Sequence, residues 1–265
     1  MSPDGRRIAV VVRGDDQHDI RLYEPGRNTW NLFTTEGNSE FPLWTRDGTR
    51  LTYNTDRSNN VSIEWKRADG SGPPETIVPG AFGRRPFPFS WSPDGLLAFV
   101  FVRPAQDIYT VHPGSGVEPK PFVATPFVEG APMFSPDGHA IAYVSNETGR
   151  NEIHLRPFPG PGEKLVVSTG GGNEPMWSPT GRELFYRVGD AMMAVDVTTS
   201  PNFKVGTPHR LFEKPYEPSI SLYANYSTID GQRFLMIKRI DEDDTSARIN
   251  LVINWFDQLK RTTAR

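Results

Sequence analysis

An all-β architecture, a six-bladed β-propeller in a single domain over residues 1–265, is what this sequence predicts, and two observations predict it. The turn phrase Ser-Pro-Asp-Gly or a close relative recurs six times, at 2–5, 45–48, 92–95, 135–138, 178–181 and 228–231, with its glycines 43, 47, 43, 43 and 50 residues apart. Self-similarity at about 40 to 50 residues is the signature of stacked sheets, each unable to bury its faces alone. The second observation is the order of signals inside each repeat, which reads as four short antiparallel strands separated by turns.

The fourth repeat gives the template: Ala131-Pro132-Met133-Phe134, the turn at 135–138, an apolar run from Ala140 to Ser145, a polar loop over Asn146 to Asn151, then runs at Glu152 to Arg156 and Lys164 to Ser168. Proline presets φ for the second turn position, Asp tolerates the third, and Gly supplies the left-handed residue that closes a bulged hairpin. A Ser or Thr hydroxyl at the first position can bond the turn backbone. The strand after each turn places large apolar residues at Ile8, Leu51, Ile141 and Leu184 and again two positions later, so both of its faces are expected to be buried between neighbouring sheets. The third strands, such as Val61-Ser62-Ile63-Glu64-Trp65 and Glu152-Ile153-His154-Leu155-Arg156, alternate more cleanly and are expected further from the axis. Trp44, Trp91, Phe134, Trp177 and Tyr226 stand just before the turns, where a periodic aromatic is core packing between blades.

Composition removes several function classes. With no cysteine there is no disulfide framework, thiolate metal site or cysteine nucleophile. A net charge of −3 with scattered Lys and Arg offers no basic stripe for nucleic acid. The longest apolar stretch, Ile8 to Val12, is strand-sized, so no membrane insertion by this chain is expected.

The repeats carry a resemblance to the TolB-like family of WD40-like β-propellers, whose hallmark is a strand, Ser-Pro-Asp-Gly and a strand of the Ile-Ala-Tyr kind. More narrowly, the chain is similar to the C-terminal propeller region of bacterial, acidobacterial-type serine/threonine protein kinases. That similarity lies in Leu43 to Asp56, in Ser145 to Arg150 running on to Pro159, in Val167 to Tyr186, and in the tail segments Asp230 to Ile237 and Leu251 to Phe256. The resemblance implies a bacterial extracytoplasmic or periplasmic setting and a chain N-terminally truncated relative to its relatives, with an imperfect seam between first and last blades. A sixth blade is expected from strands near Leu222 to Ser227, Arg233 to Arg239 and Asn250 to Phe256.

No catalytic signature stands in the sequence. Gly-rich kinase loop, His-Arg-Asp, Asp-Phe-Gly, Gly-x-Ser-x-Gly, His-Glu-x-x-His and P-loop motifs are all missing, so no catalytic residue, metal site or cofactor is assigned. Three Gly-x-Gly fragments, at 70–72, 114–116 and 160–162, lie between strands with no helix to present amides to phosphate. The histidines, His18, His112, His139, His154 and His209, occupy unrelated repeat positions and are expected to be exposed or locally bonded. The acidic run Asp241 to Asp244 is expected to be a solvated loop.

If the repeated turns form one face, the loops between blades and those joining second to third strands form the other. A ligand would meet Asn38, Glu40, Arg84, Arg85, Glu129, Asn173 and Glu174 near the channel mouth, with Asp56, Arg57, Asn146, Arg150 and Asn151 further out. Mixed Arg, Glu and Asn suit a small polar ligand or an extended peptide. The expected role is therefore a non-catalytic binding or sensory module with a protein or peptide partner. An enzyme acting from the channel mouth and a structural platform in an envelope complex are the alternatives.

Overall fold

The computed structural model describes residues 1–15, 17–57, 60–80, 83–102, 106–114, 116, 118–200, 203–217, 223–228 and 230–237. Within them every regular element is a β-strand and none is a helix. Two compact units divide the chain, Met1–Phe134 and Ser135–Arg265.

In the first unit, β1 (Ile8–Arg13), β2 (His18–Glu24) and β3 (Thr29–Leu32) form a three-stranded antiparallel sheet in chain order. Two four-stranded antiparallel sheets follow. One holds β4 (Ser39–Trp44), β5 (Arg50–Thr55), β6 (Ser62–Arg67) and β7 (Glu75–Val78); the other holds β8 (Arg85–Trp91), β9 (Leu97–Val102), β10 (Gln106–Val111) and β11 (Lys120–Val123). The unit ends with β12 (Glu129–Phe134). The Ser90 hydroxyl donates to the Pro132 carbonyl at 2.8 Å and accepts the Phe134 N–H at 3.0 Å, so one side chain stitches β8 to β12.

The second unit opens with β13 (Ala140–Ser145), β14 (Glu152–Pro157) and β15 (Leu165–Val166), antiparallel in that order. Its next sheet contains β16 (Asn173–Trp177), β17 (Glu183–Val188), β18 (Ala191–Thr198), β19 (Lys204–Val205) and β20 (His209–Glu213). The eight-residue β18 shares its outer edge, Val197 and Thr198 pairing with β19 and Ala191 to Ala194 with β20. This sheet thus has five strands where four were expected. A final pair, β21 (Tyr226–Thr228) and β22 (Phe234–Met236), marks the sixth repeat. Its expected third strand at Asn250 to Phe256, and the acidic run at Asp241 to Asp244, lie outside the described residues, as do Leu222 and the last residues of the expected Arg233 to Arg239 strand.

The repeated turn is a hydrogen-bonded knot. In its second copy the Thr45 hydroxyl donates to Asp47 Oδ1 at 2.7 Å and accepts the Arg50 N–H at 3.0 Å, while the same carboxylate oxygen accepts the Thr49 N–H at 3.0 Å. The first copy repeats it through Ser2, Asp4, Arg6 and Arg7, and the fourth through Ser135, Asp137, His139 and Ala140. Asp therefore does more than tolerate its position, since it accepts from both the side chain and the backbone of the turn. At Asp4 and Asp47 the hydroxyl bond, then the backbone N–H, hold the carboxyl below its ordinary value. Only the fifth copy substitutes Thr180, whose hydroxyl lies 3.2 Å from Ser178 Oγ.

Burial follows the strand order. The second strand of each repeat is nearly closed to solvent in β5, β9, β13 and β17, as its apolar pattern demanded, while β1 is only half-buried. Trp44, Trp91, Phe134, Trp177 and Tyr226 are all buried, the core role expected of them. The third strands depart from expectation: β14 buries Glu152, Ile153, His154 and Leu155 consecutively, and β6 buries Ser62, Ile63 and Glu64. Alternation in sequence here separates two buried faces, one apolar and one polar, in place of an inside and an outside.

Proline stands in the first strand of every complete repeat, at Pro42, Pro86, Pro88, Pro132 and Pro175. A residue without an N–H belongs on a sheet edge, and β4, β8 and β16 are edge strands. Phe41, Ala131 and Glu174, each directly before a proline, adopt left-handed φ of 57°, 51° and 57°. Register shifts accompany this at Glu40/Leu43 and Asn173/Met176, so the first strand bulges just where it enters the repeat.

Two substitutions test this account. Gly181 has φ of 70° and a Cβ there would meet Pro136 Cδ at 3.3 Å, whereas Gly95, φ 83°, has open space. Gly95→Ala is expected to cost about 1–2 kcal/mol for the left-handed conformation, and Gly181→Ala more, read as the shift in urea midpoint. Because the turn carboxyls are depressed, their stabilisation is complete above the unfolded value near pH 4 and is lost as pH falls through the folded values; Asp47→Asn should flatten the acid limb of stability against pH.

Candidate functional site

The expected ligand face draws on loops of both units, and each unit arranges its residues separately. In the first, Glu40 sits in the β4 bulge, where its carboxylate is 3.0 Å from His18 Nδ1 and accepts from the Arg13 guanidinium at 3.2 Å. Beside it in sequence, Asn38 donates its backbone N–H to Asp56 Oδ1 at 2.7 Å and its side-chain amide to Asp56 Oδ2 at 2.9 Å, while its own amide oxygen accepts the His18 N–H. Burial pushes Asp56 up, but the two Asn38 bonds outweigh it and the carboxyl lies below its ordinary value. Glu129 is buried under the loop before β12 and accepts from the Thr125 hydroxyl.

Arg84 and Arg85 behave differently. Arg84 lies 4.8 Å over the Phe101 ring and donates to the Tyr109 hydroxyl at 3.3 Å; Arg85 is exposed, 5.9 Å from the Phe87 ring. Phe127 and Val128, in the loop before β12, are exposed apolar residues of the same unit. Arg84, Arg85, Phe127 and Val128 are thus all exposed on these loops.

In the second unit Asn173 accepts from the Asn151 side-chain amide at 2.8 Å. Glu174, at the left-handed position of the β16 bulge, is turned inward, accepting the Asn225 N–H at 2.8 Å and lying 3.7 Å from the Arg187 guanidinium. Arg187 is itself buried and donates to the carbonyls of Glu217, Gly189 and Tyr216. The Glu174 carbonyl accepts the Tyr226 hydroxyl, so β16 and β21 are joined through this one residue. The expected site residues of this unit are bonded into the scaffold.

Several groups escaped the sequence reading. Glu64 on β6 is buried and accepts from Arg57 at 2.9 Å, and Glu152 on β14 is buried and accepts from Arg150 at 2.8 Å, from the Ser168 hydroxyl and from the Gly171 N–H at 3.0 Å. Burial raises the Glu152 carboxyl, but these donors together hold it below its ordinary value. Gly172 permits this approach, because a Cβ there would fall 2.7 Å from Ile153 and from Ser168 Oγ. His154 overturns the expectation of an exposed or locally bonded histidine: it is fully buried, stacked on Tyr143 at 5.5 Å, and neither ring nitrogen has a hydrogen-bond partner. Its strand is covered on both faces, which the alternating pattern concealed. An arginine in the preceding loop was the available signal for both buried glutamates.

Away from these loops, a cleft of about 450 Å³ opens beside the turns of the second unit, lined by Asp137, Thr180, Arg182, Asp196, Thr199 and Ser200 among others. Asp137 accepts there from the Thr199 hydroxyl. Among the described residues, no three His, Asp or Glu side chains converge as a metal site would require. Removing Arg187 would strand Glu174 in the interior, so Arg187→Met is expected to cost about 3–5 kcal/mol, against well under half that for Arg150→Met, whose side chain is largely exposed; urea denaturation of the two variants makes the comparison.

No family model matches the chain. Among solved structures, TolB from Acinetobacter baumannii superposes with a TM-score of 0.61 at 19% identity over 78% of this chain and 53% of its own, so the chain spans about half the length of that protein. A putative TolB from Agrobacterium tumefaciens gives 0.60 at 18% identity, covering 78% of each chain. An oligogalacturonate lyase from Vibrio parahaemolyticus gives 0.63 at 11% identity, covering 94% of this chain and 71% of the lyase. Likeness at these identities is likeness of fold, and the chain resembles TolB and the TolB-like β-propeller proteins in its all-β, antiparallel-sheet fold.

Proposed function

We propose that this chain is a non-catalytic binding module, a six-bladed TolB-like propeller in a single domain that recognises a protein or peptide partner, with a small polar ligand as the lesser variant of the same site. One observation carries the reading. The carboxylates and amides on the expected ligand face are fixed by neighbours, as in Asn38 with Asp56, Glu40 with His18 and Arg13, and Glu174 with Arg187 and Asn225. A catalytic acid or base must reach substrate, and these groups are already bonded within the scaffold. Such bonded sets stiffen the polar rim within each unit, and a preorganised rim lowers the ordering cost of association.

Recognition in this proposal falls on what the rim leaves exposed. Arg84 and Arg85 supply cationic donors for a carboxylate, and Phe127 and Val128 supply apolar contact. Arg and aromatic residues are the side chains on which interface energy concentrates. The similarity of the repeats to kinase-associated propellers supports an extracytoplasmic sensory setting, as part of a larger bacterial envelope protein.

Affinity capture from an envelope extract, followed by binding measurements on the recovered partner, tests the proposal. The double variant Arg85→Ala/Phe127→Ala is expected to weaken binding at least tenfold while leaving the thermal midpoint within a few degrees. Unchanged affinity would remove the site, and turnover of a substrate by the purified chain would remove the non-catalytic reading.

A further inference from the structure

The loops joining second to third strands in the second and fourth repeats are built alike. In one, Thr55 pairs with Ser62 and Tyr53 with Glu64; in the other, Ser145 pairs with Glu152 and Tyr143 with His154. Six residues separate the strands in both, and the second loop residue donates its N–H to the hydroxyl two positions back, Arg57 to Thr55 and Glu147 to Ser145, each at 3.3 Å. Arg57 is therefore the structural counterpart of Glu147, and Glu64 of His154.

This correspondence exchanges acid for base in a pair whose inner member is buried. Arg57 Nη2 bonds Glu64 Oε1 at 2.9 Å, whereas Glu147 Oε1 stands 3.7 Å from His154 Nδ1, beyond hydrogen-bonding distance. In the first pair the buried carboxyl is closed by that direct bond to the guanidinium. In the second, the inner member is a fully buried imidazole with no hydrogen-bond partner, and the outer member is held instead by Lys164 Nζ, 2.5 Å from both carboxylate oxygens.

We infer that Glu147 and His154 form a pH-operated latch in which protonation of His154 draws the Glu147 carboxylate inward, away from Lys164, and shifts the loop 146–151. This rests on the binding-face reading above, since that loop carries Asn146, Arg150 and Asn151, and it adds regulation by acidity to that face.

The groups acting on His154 support a device closed at neutral pH. Burial holds the imidazole below its ordinary value; Glu147 and, more weakly, Glu152 oppose this, while Lys164 from the segment before β15 reinforces it. Glu152 is occupied by Arg150, Ser168 and Gly171, and from β16 Glu174 is engaged by Arg187 and Asn225, leaving Glu147 as the acceptor for a new imidazole N–H. Tyr143, from β13, meets the imidazole with the face of its ring. Because the folded value lies below the unfolded one of 6.5, the stability owed to the neutral ring is complete above pH 6.5 and is lost as pH falls from there toward the folded value. The Glu147 carboxylate, 3.7 Å from the ring, is what makes acidification a movement as well as a penalty.

The test is an NMR titration of the whole chain from pH 7.5 to 5, without any partner, so that its outcome is independent of whether the binding reading holds. The His154 ring and the amides of residues 146–151 should shift with one common midpoint, while Asp56, Arg57 and Asn60 amides stay flat. His154→Gln should abolish the loop shift, and Glu147→Gln, at a partly exposed position that folding tolerates, should leave the loop flat while His154 titrates at lower pH. A loop shift retained in either variant, or a His154 titration with a flat wild-type loop, would overturn the latch.

Discussion

The first four repeats hang on the hydrogen-bond knot in which a Ser or Thr hydroxyl donates to the turn Asp and accepts a backbone N–H five residues later, or four in the third copy. The knot joins the first strand to the second and so fixes the register in which Trp44 faces Leu51, Trp91 faces Leu97 and Trp177 faces Leu184. A slip of one residue would turn every apolar side chain of the second strand to the opposite face. Those strands are covered on both sides, so the turn sets burial as well as direction. Where the fifth copy lacks the carboxylate, Thr180 retains a weaker version of the contact.

From this fixed end the first strand runs to a bulge at the other, and the bulge decides where polar side chains point. Proline leaves the edge short of a donor, the residue before it turns left-handed, and Glu40 or Glu174 is swung toward neighbours it would not meet on a regular strand. The polar groups of the loop end are thereby converted into internal bonds. That end of each unit gains rigidity from residues whose types alone suggest a reactive site.

Turn chemistry and the spacing of the repeats were legible because both are local: Pro, Asp and Gly have meanings set within four residues, and the pre-turn aromatics recur with them. The candidate site was less legible. Its residues could be named from loop positions, but whether Glu174 faces outward or meets Arg187 depends on a bulge and on a residue 13 positions away. Glu64, Glu152 and His154 went unrecognised because strand alternation distinguishes two faces without saying that both are covered. The equivalence of Arg57 with Glu147 is invisible in composition and emerges only when strand register aligns the two loops.

The prolines of the first strands have a consequence beyond geometry. Backbone edges with a full set of donors are templates on which foreign chains polymerise, and Pro42, Pro86, Pro88, Pro132 and Pro175 delete donors along the strands that carry them. A guest lying there finds a broken ladder and must be recognised by side chains. By contrast β1, from Ile8 to Arg13, and β3, from Thr29 to Leu32, contain no proline and border their sheet among the described residues, so a guest strand there would meet an unbroken row of backbone donors.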